Sequence, residues 1–421
     1  MPSAGRGEKS VKVVMVGAFG MRPLGTMRVR ALPMGQALAE RGHEVTMLLP
    51  PWQNRRDAGR RWEDGGVRVE NVELPPSVPG LFHGVTAARL VGRARALRPD
   101  VVHLFKPKAY SGLAHWLLHV LPATDGCRLV VDSDDWEGPG GWNELAGYSP
   151  LQRLFFAWQE RWGLTHADAV TVASRTLEGL VWALGVPQER VFYVPNGMRG
   201  PIRVRTSDQP SDDTILLYTR FFEFPAERVM DVFLRVRKDL PSARLLVVGK
   251  GLFNEEEGFL RLARDAGLTV RDEASGASDG DGGRMEDGGP GCGGADVTYT
   301  GWVAADELDG LFAQAKLAIY PFDDTLVNRA KCAVKLVDLL GDGVPVVAEN
   351  VGQNGECIRE GETGVLVPPG DTEGFARAVT GLLRDDARRI RMGRQAAHDI
   401  GERFSWSNLV GTVERAYGAG P

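Results

Sequence analysis

Along most of the chain, short apolar runs alternate with longer stretches in which apolar positions recur with helical spacing. In the first half the apolar runs cover 11–17, 44–50, 100–105, 128–132, 169–174 and 191–196. The stretches with helical spacing cover 28–41, 86–98, 109–120, 151–166 and 175–184. Runs that are apolar at nearly every position are typical of strands buried on both faces of a parallel sheet. The pattern therefore predicts an α/β fold with a doubly wound parallel sheet.

The segment 197–213 breaks this alternation and is predicted to be a linker, because it is polar, rich in Gly, Pro, Ser and Asp, and without periodicity. Strands are then expected at 214–220, 243–249, 297–301, 317–322, 344–349 and 364–368. Helices are expected at 225–239, 255–266, 304–315, 333–341, 372–384, 386–402 and 405–417. We expect two Rossmann-like domains, 1–196 and 214–404, with the terminal helix in 405–421 packing on the first. A ligand site is expected in the cleft between the carboxyl ends of their strands.

The segment 272–296 interrupts the second domain. It holds nine glycines and seven acidic residues against one arginine, a composition that cannot bury enough apolar surface to order itself. We predict a disordered surface insertion. A metal-binding loop is the alternative, but the acidic residues do not follow EF-hand spacing.

Composition narrows the classes of function. Fifty basic residues against fifty-five acidic ones give a formal charge of −5, whereas a nucleic-acid-binding protein usually carries a basic excess. The amino terminus has no apolar signal region and no run of eighteen apolar residues occurs, so neither a signal peptide nor a transmembrane segment is expected. The widely spaced cysteines predict neither a disulfide framework nor a zinc site and fit a reducing cytoplasm: Cys127, Cys292, Cys332 and Cys357.

Two strand ends carry residues suited to binding an anion. The first strand runs into a loop with Gly17, Gly20 and Gly25 and then into a helix, an arrangement that can hold an anion or form a purely structural turn. Arg220 closes the first strand of the second domain, where it could neutralise a phosphate or lie solvated at the strand end.

A third candidate is the helix predicted to begin near Ala333. Lys331 precedes it, and Lys335 and Asp338 lie on one face, three positions apart. They could form a surface ion pair of little energetic value. Alternatively, the helix N-terminus and Lys335 hold a diphosphate, and Asp338 accepts a hydrogen bond from a ribose.

The stretch 341–371, GDGVPVVAENVGQNGECIREGETGVLVPPGD, resembles the second-domain signature of retaining glycosyltransferases of the GT-B fold, family 4. Matching segments occur in the family's order along the chain: 42–43, 194–197, 247–251 and 300–315. The resemblance implies two Rossmann-like domains that face a central cleft. It also implies transfer of a sugar from a nucleoside-diphosphate sugar to a hydroxyl acceptor, with retention of anomeric configuration. No essential metal and no cofactor besides that co-substrate are expected.

The resemblance also assigns roles to residues. The expected donor-binding residues are Gly25, Arg220, Gly249, Lys331, Val334, Lys335 and Asp338. Arg220 and Lys335 are expected to stabilise the departing diphosphate. The chain departs from the family pattern of two glutamates, because the second falls on Asp338 and the first on Ala330, which puts sugar recognition in question.

The acceptor is expected against the first domain, where the family's His-Asp pair is replaced by DSDDWEG at 132–138. The expected acceptor-binding residues are Asp134, Asp135, Trp136 and Trp142, with Asp135 also counted as catalytic and with Glu137 beside them. A capping cluster with the tryptophans as loop anchors is the alternative. Lys106 and Lys108 could touch either substrate, and His103 is predicted to be a core histidine.

Two other functions remain open: a GT-B sugar-nucleotide 2-epimerase, and a catalytically silent sugar-nucleotide-binding protein, which the alanine at position 330 favours. Neither nucleic acid nor a membrane-spanning segment is expected, and peripheral membrane contact stays open. The sugar, the base, the acceptor and the oligomeric state are not specified by these motifs.

Overall fold

The computed structural model describes residues 10–22, 25–78, 81–121, 126–198, 200, 202–203, 212–274 and 294–419. The chain divides into two compact units. Unit 1 comprises Met1–Gly197, Thr325–Val334 and Arg403–Pro421, and unit 2 comprises Met198–Asp324 and Lys335–Glu402. No helix within the described ranges is both long and apolar enough to cross a membrane.

Unit 1 is built on an eight-stranded sheet in the order β3-β4-β2-β1-β5-β6-β7-β8. Its strands are β1 (Lys12–Val16), β2 (Glu44–Leu49), β3 (Arg61–Asp64), β4 (Val67–Asn71), β5 (Val101–Phe105), β6 (Arg128–Ser133), β7 (Ala169–Val172) and β8 (Val191–Tyr193). Its first helices are α1 (Leu32–Glu40), α2 (Leu81–Ala96), α3 (Ala109–Val120), α4 (Trp142–Leu145), α5 (Pro150–Thr165) and α6 (Arg175–Ala183). A π-helical turn, Met27–Ala31, leads into α1.

The parallel pairing in unit 1 confirms the prediction from the continuously apolar runs. Val13 of β1 is fully buried and is in register with Val45 of β2 and Val101 of β5. Strands β3 and β4 were not predicted. They pair antiparallel at the sheet edge, where β3 is polar and largely exposed. The chain order reverses between β1 and β5, and ligands of doubly wound sheets bind at such a switch point, beyond the carboxyl ends of the strands.

Unit 2 has a seven-stranded parallel sheet in the order β11-β12-β10-β9-β13-β14-β15. Its strands are β9 (Thr214–Tyr218), β10 (Arg244–Val248), β11 (Val270–Asp272), β12 (Val297–Gly301), β13 (Leu317–Tyr320), β14 (Val346–Glu349) and β15 (Val365–Val367). The helices from the linker onward are α7 (Ala226–Asp239), α8 (Glu255–Asp265), α9 (Leu308–Ala313), α10 (Leu326–Ala330), α11 (Val334–Gly341), α12 (Asn354–Cys357), α13 (Thr372–Arg384), α14 (Asp386–Arg403) and α15 (Trp406–Tyr417). The switch point of this sheet lies between β9 and β13.

The terminal helix α15 packs in unit 1 against α1 and strands β6, β7 and β8. Tyr417 makes a hydrogen bond of 2.8 Å with Nδ1 of His103, whose other ring nitrogen lies 3.1 Å from Thr171 Oγ1. Burial lowers the pKa of His103 to about 3, so its ring is neutral. His103 is thus a satisfied core histidine, as predicted.

The ends of the predicted insertion 272–296 are ordered, which corrects its boundaries. Asp272 is the last residue of β11, and the carboxylate of Asp296 accepts hydrogen bonds of 2.8 Å from the backbone and hydroxyl of Thr269. A three-residue edge strand gives too short a pattern to be recognised in sequence. Residues 275–293 lie outside the described ranges, as does most of the predicted linker 197–213.

Candidate functional site

An ion cluster occupies the switch-point edge of unit 1. Lys106 follows β5 with a left-handed backbone (φ 58°). Its Nζ lies 2.5 Å from Asp135 Oδ2 and 3.2 Å from Asp134 Oδ1. Lys108 Nζ lies 2.5 Å from Glu137 Oε2. Both lysines, considered above as substrate contacts, are therefore paired with the carboxylates that follow β6.

Asp135 is the most accessible acid of this cluster. Its side chain is 21 % exposed, against 9 % for Asp134 and 5 % for Glu137. Burial alone would lower the pKa of Lys106, but the three carboxylates outweigh it and raise that pKa well above its ordinary value. The cluster therefore keeps a permanent cation, with Asp135 as the carboxylate best placed to meet a ligand.

Glu160 of α5 contacts the backbone of the ion cluster. Both of its carboxyl oxygens lie 3.0 Å from the backbone nitrogen of Glu137, which donates to them. Burial raises the pKa of Glu160 to about 8, an effect that the Glu137 N–H and the nearby lysines only partly oppose. This carboxyl is consequently protonated near neutral pH. The sequence pattern does not indicate this role, because an acid on a helix gives no sign of burial.

The loop after β1 joins the same edge. Thr26 Oγ1 donates a hydrogen bond of 2.5 Å to Asp134 Oδ2. Gly25 directly precedes it, and the Gly25 carbonyl accepts from Arg28 and Val29 to start the π-helical turn. Gly25 thus lies beside the ion cluster of unit 1.

Trp136 has the position of a loop anchor, which was the alternative to an acceptor-binding role. It is buried in the hydrophobic core of unit 1, and its Nε1 donates to the Pro139 carbonyl at 2.9 Å. A Cβ at Gly138 would lie 2.4 Å from the indole ring, so the glycines of this loop make room for Trp136 rather than expose it. Trp142 is half-buried at the start of α4.

The segment Thr325–Val334 belongs to unit 1, although it was predicted in the second domain. Ala330 and Cys332 are buried in the core of unit 1, Ser174 Oγ donates to the Ala330 carbonyl at 2.6 Å, and the Asn196 N–H donates to Cys332 Sγ. These contacts hold the segment, with the predicted donor residues Lys331 and Val334, in unit 1. They depend on tertiary packing, so the sequence pattern could not reveal them.

The switch-point edge of unit 2 carries two cations. Arg220 follows β9, and its guanidinium lies 5.5 Å from the centre of the Trp302 ring. Lys335 Nζ lies 4.8 Å from the centre of the Tyr218 ring, at the end of the same strand. Within the described residues, Arg220 Nε is buried without a hydrogen-bond partner. An unsatisfied buried donor is costly, and an anion is the ligand that would satisfy it.

Gly249 allows the loop after β10 to approach this edge. Its backbone is left-handed (φ 123°), and a Cβ there would lie 2.0 Å from the Thr219 carbonyl oxygen. Only glycine fits such an approach. The predicted glycine therefore lies next to Arg220. Asp338, by contrast, is buried in α11 and does not lie on a solvated surface.

One acidic residue, Glu349, joins neighbouring loops of unit 2, a role that the sequence pattern did not indicate. Glu349, at the end of β14, accepts from the backbone nitrogens of Phe322 (2.6 Å) and Gly370 (2.8 Å) and from Arg228 (3.0 Å). Burial raises the pKa of Glu349, and these three donors only partly offset it. The one available signal was an acid closing an apolar strand.

The described ranges contain no group of three or more His, Cys, Asp or Glu side chains placed to hold a metal ion.

Two family models match the chain. A glycosyl transferase 4-like domain matches residues 25–197, and the glycosyl transferases group 1 model matches residues 214–385. Phosphatidyl-myo-inositol mannosyltransferase of Mycobacterium leprae is 36 % identical over 422 residues, covering 97 % of this chain and 96 % of that protein. N-acetyl-alpha-D-glucosaminyl L-malate synthase of Bacillus anthracis is 34 % identical, covering 91 % of each chain.

Solved structures share the fold. Sucrose-phosphate synthase from Thermosynechococcus elongatus superposes with a TM-score of 0.71 at 18 % identity, covering 97 % of this chain and 98 % of that one. HepE of Anabaena, solved with UDP and glucose, gives a TM-score of 0.66 at 16 % identity, covering 97 % and 99 %. These similarities confirm the GT-B class of fold.

Proposed function

This chain belongs to the group 1 glycosyltransferases with a 4-like amino-terminal domain, and from that membership we propose that it transfers a hexose-type sugar from a nucleoside-diphosphate sugar to a hydroxyl acceptor. We propose further that transfer retains the anomeric configuration and needs no essential metal. The relatives named above are a mannosyltransferase and a glucosaminyl L-malate synthase, which supports a sugar as the group transferred.

The observation that carries this proposal is the pair of cations at the end of β9. Among the residues that the structure describes, none pairs with the buried Nε donor of Arg220, and Lys335 Nζ lies over the adjacent Tyr218 ring. When the bond between the sugar and the diphosphate breaks, negative charge develops on the phosphate oxygen. Fixed cations favour that charge without reorganising, and they can do so without a metal.

The chemistry then needs no nucleophile from the protein. The bond between the anomeric carbon and the phosphate oxygen breaks, and the acceptor oxygen forms a bond with that carbon on the same face. The acceptor proton moves to the departing phosphate, so atoms and charge balance. The chain's contribution is to position the substrates and stabilise the diphosphate.

On the acceptor side, Asp135 is the proposed orienting group. Its carboxylate is partly accessible and is fixed by Lys106, so it can accept a hydrogen bond from an acceptor hydroxyl in a defined direction. The free thiols of the described cysteines are consistent with a reducing, cytoplasmic compartment, which we include in the proposal.

Product analysis with a panel of nucleoside-diphosphate sugars and candidate acceptors tests the function, with EDTA in a parallel set. We expect nucleoside diphosphate and an α-linked product from an α-linked donor, unchanged by EDTA. An epimerised donor would indicate the epimerase, and donor binding without any product would indicate a silent binder. A β-linked product would contradict retention, and loss of activity in EDTA would contradict metal independence.

A further inference from the structure

Helix α5 buries two polar side chains and exposes several large apolar ones. Gln159 and Glu160 are buried, whereas Leu151 is 76 % exposed and Leu154 69 % exposed. The helix is well formed, with Ser149 as its N-cap in a capping box with Gln152. A surface helix normally buries its apolar stripe, and large exposed apolar surfaces mark sites of interaction.

Aromatic rings continue this apolar stripe along the helix. The rings of Phe155 and Trp158 stack with centroids 5.8 Å apart, and those of Trp158 and Trp162 stack at 6.2 Å. Trp162 in turn stacks on His166 at 4.5 Å. This series of stacked rings is therefore pre-organised, and Trp158 within it is 44 % exposed.

The neighbouring helix α3 packs on α5, where the ring centres of His119 and Trp162 lie 5.3 Å apart, and it also carries exposed apolar side chains. We call this surface the aromatic face; its exposed apolar residues are Leu151, Leu154, Phe155 and Trp158 of α5 and Trp116 and Val120 of α3.

The charged side chains exposed on the two helices of the aromatic face are basic. On α3 and α5, all residues of which the structure describes, the exposed charged side chains are Arg153 and Arg161, and the only acid, Glu160, is buried. Glu144 of the adjacent α4 is exposed, but its carboxylate accepts from the Gly140 N–H. This arrangement contrasts with the whole chain, whose formal charge is −5.

We propose that the aromatic face docks on the surface of an anionic lipid bilayer. Tryptophan and leucine suit the boundary between headgroups and acyl chains, and arginine suits anionic headgroups. A second copy of the chain is less favoured, because facing arginines would repel each other unless an acidic surface covered them.

The opposite face of α5 connects this surface with the candidate site. The side chain of Gln159 accepts from the backbone nitrogen of Ala109 at 2.8 Å and donates to its carbonyl at 3.1 Å, and Glu160 holds Glu137. One helix thus touches both the proposed membrane surface and the ion cluster of Lys106 and Asp135. Resting on the proposed function, we infer that the hydroxyl acceptor is carried by a membrane lipid.

Vesicle sedimentation tests the docking surface. The full chain is mixed with vesicles of phosphatidylcholine alone or with added phosphatidylglycerol. We expect binding to the anionic vesicles, and a drop of about fivefold in partitioning for each of Arg153→Gln and Arg161→Gln. The triple variant Leu151→Ser/Leu154→Ser/Trp158→Ser should lose binding. Trp182→Ser on α6 and Arg235→Gln on α7, both exposed, should bind as the parent does.

Circular dichroism melting of each variant excludes loss of fold as the cause. Equal binding by the parent and a folded triple variant would overturn the proposal. So would dimers of the parent that the triple variant abolishes, since they would assign the face to a second copy. Donor binding in the absence of vesicles is measured in a separate experiment. Vesicle binding without any sugar transfer would overturn the proposed function but would not contradict the docking surface. Transfer to soluble acceptors alone would overturn the lipid acceptor.

Discussion

The ammonium nitrogen of Lys335 lies 4.8 Å from the centre of the Tyr218 ring. Tyr218 ends β9, and Arg220 follows two residues later, so one strand end positions the two cations described at this edge of unit 2. The contact is a cation–π interaction, which fixes the direction of a flexible lysine side chain. Charge placed in advance is what a departing diphosphate requires.

Asp135→Asn should impair use of the acceptor. Replacing the accessible carboxylate removes a charged hydrogen-bond acceptor, so acceptor-dependent turnover should fall about ten- to a hundredfold. Donor affinity, measured by titration calorimetry, should change less than about fivefold, the range of an exposed ion pair. Asp64→Asn, an exposed carboxyl of the same unit, is the matched control. An equal loss of donor affinity would move Asp135 to the donor side.

Glu160→Gln should flatten the dependence of stability on pH. The folded protein holds a proton on Glu160 up to a pKa of about 8, whereas the unfolded chain loses it near 4.5. The stabilising contribution of this proton is therefore complete below pH 4.5 and is lost as pH rises through 8. The melting temperature of the variant should rise relative to that of the parent as pH increases from 5 to 8. The exposed Glu373→Gln should run parallel to the parent. A constant offset at every pH would show that Glu160 does not titrate in this way.

Replacing 275–293 with a short Gly-Ser linker should leave the melting temperature and donor binding nearly unchanged. The composition of this segment offers little apolar surface to bury, so little stability can depend on it. Asp296 is kept, because it fixes Thr269 and pairs with Arg237. Differential scanning calorimetry makes the comparison. A fall of more than about 4 °C, roughly 1 kcal/mol or more for a domain of this size, would refute dispensability.

The sequence predicted those helices and strands that are specified by the local pattern of apolar and polar residues. Apolar runs predicted the buried parallel strands, and they placed Arg220 just after β9 and Lys335 at the start of α11. The polar edge strand β3 and the three-residue β11 lacked that pattern. The apolar stripe of α5 would indicate a buried face, yet the structure exposes it, because the polar face holds the backbone of the ion cluster.

The candidate site likewise depends on contacts that the local sequence pattern does not reveal. The flanking glycines left open whether Trp136 binds the acceptor or anchors the loop, because its position depends on a core built from distant strands. The Glu349–Arg228 contact joins residues 121 positions apart. Such contacts are set by tertiary packing and leave no local periodicity to recognise.

Arg220→Ala and Lys335→Ala should not be additive in turnover. Both cations are proposed to act on one diphosphate, so the double variant should lose less than the sum of the single losses expressed as free energies. Steady-state kinetics of the parent, the two single variants and the double variant form a double-mutant cycle. Arg235→Ala, at an exposed arginine of α7, controls for loss of positive charge. Strict additivity would place the two cations on separate groups.

The most direct test of the central claim is the turnover of Lys335→Ala set against its nucleoside-diphosphate affinity. If Lys335 stabilises charge that develops as the bond breaks, turnover should fall about a hundredfold to a thousandfold, whereas affinity weakens much less. Lys238→Ala, which removes an exposed lysine of α7, should change neither quantity. The measurement pairs single-turnover kinetics with titration calorimetry. Turnover of Lys335→Ala within about fivefold of the parent, the range of an ordinary surface ion pair, would contradict the assignment of the diphosphate to this site.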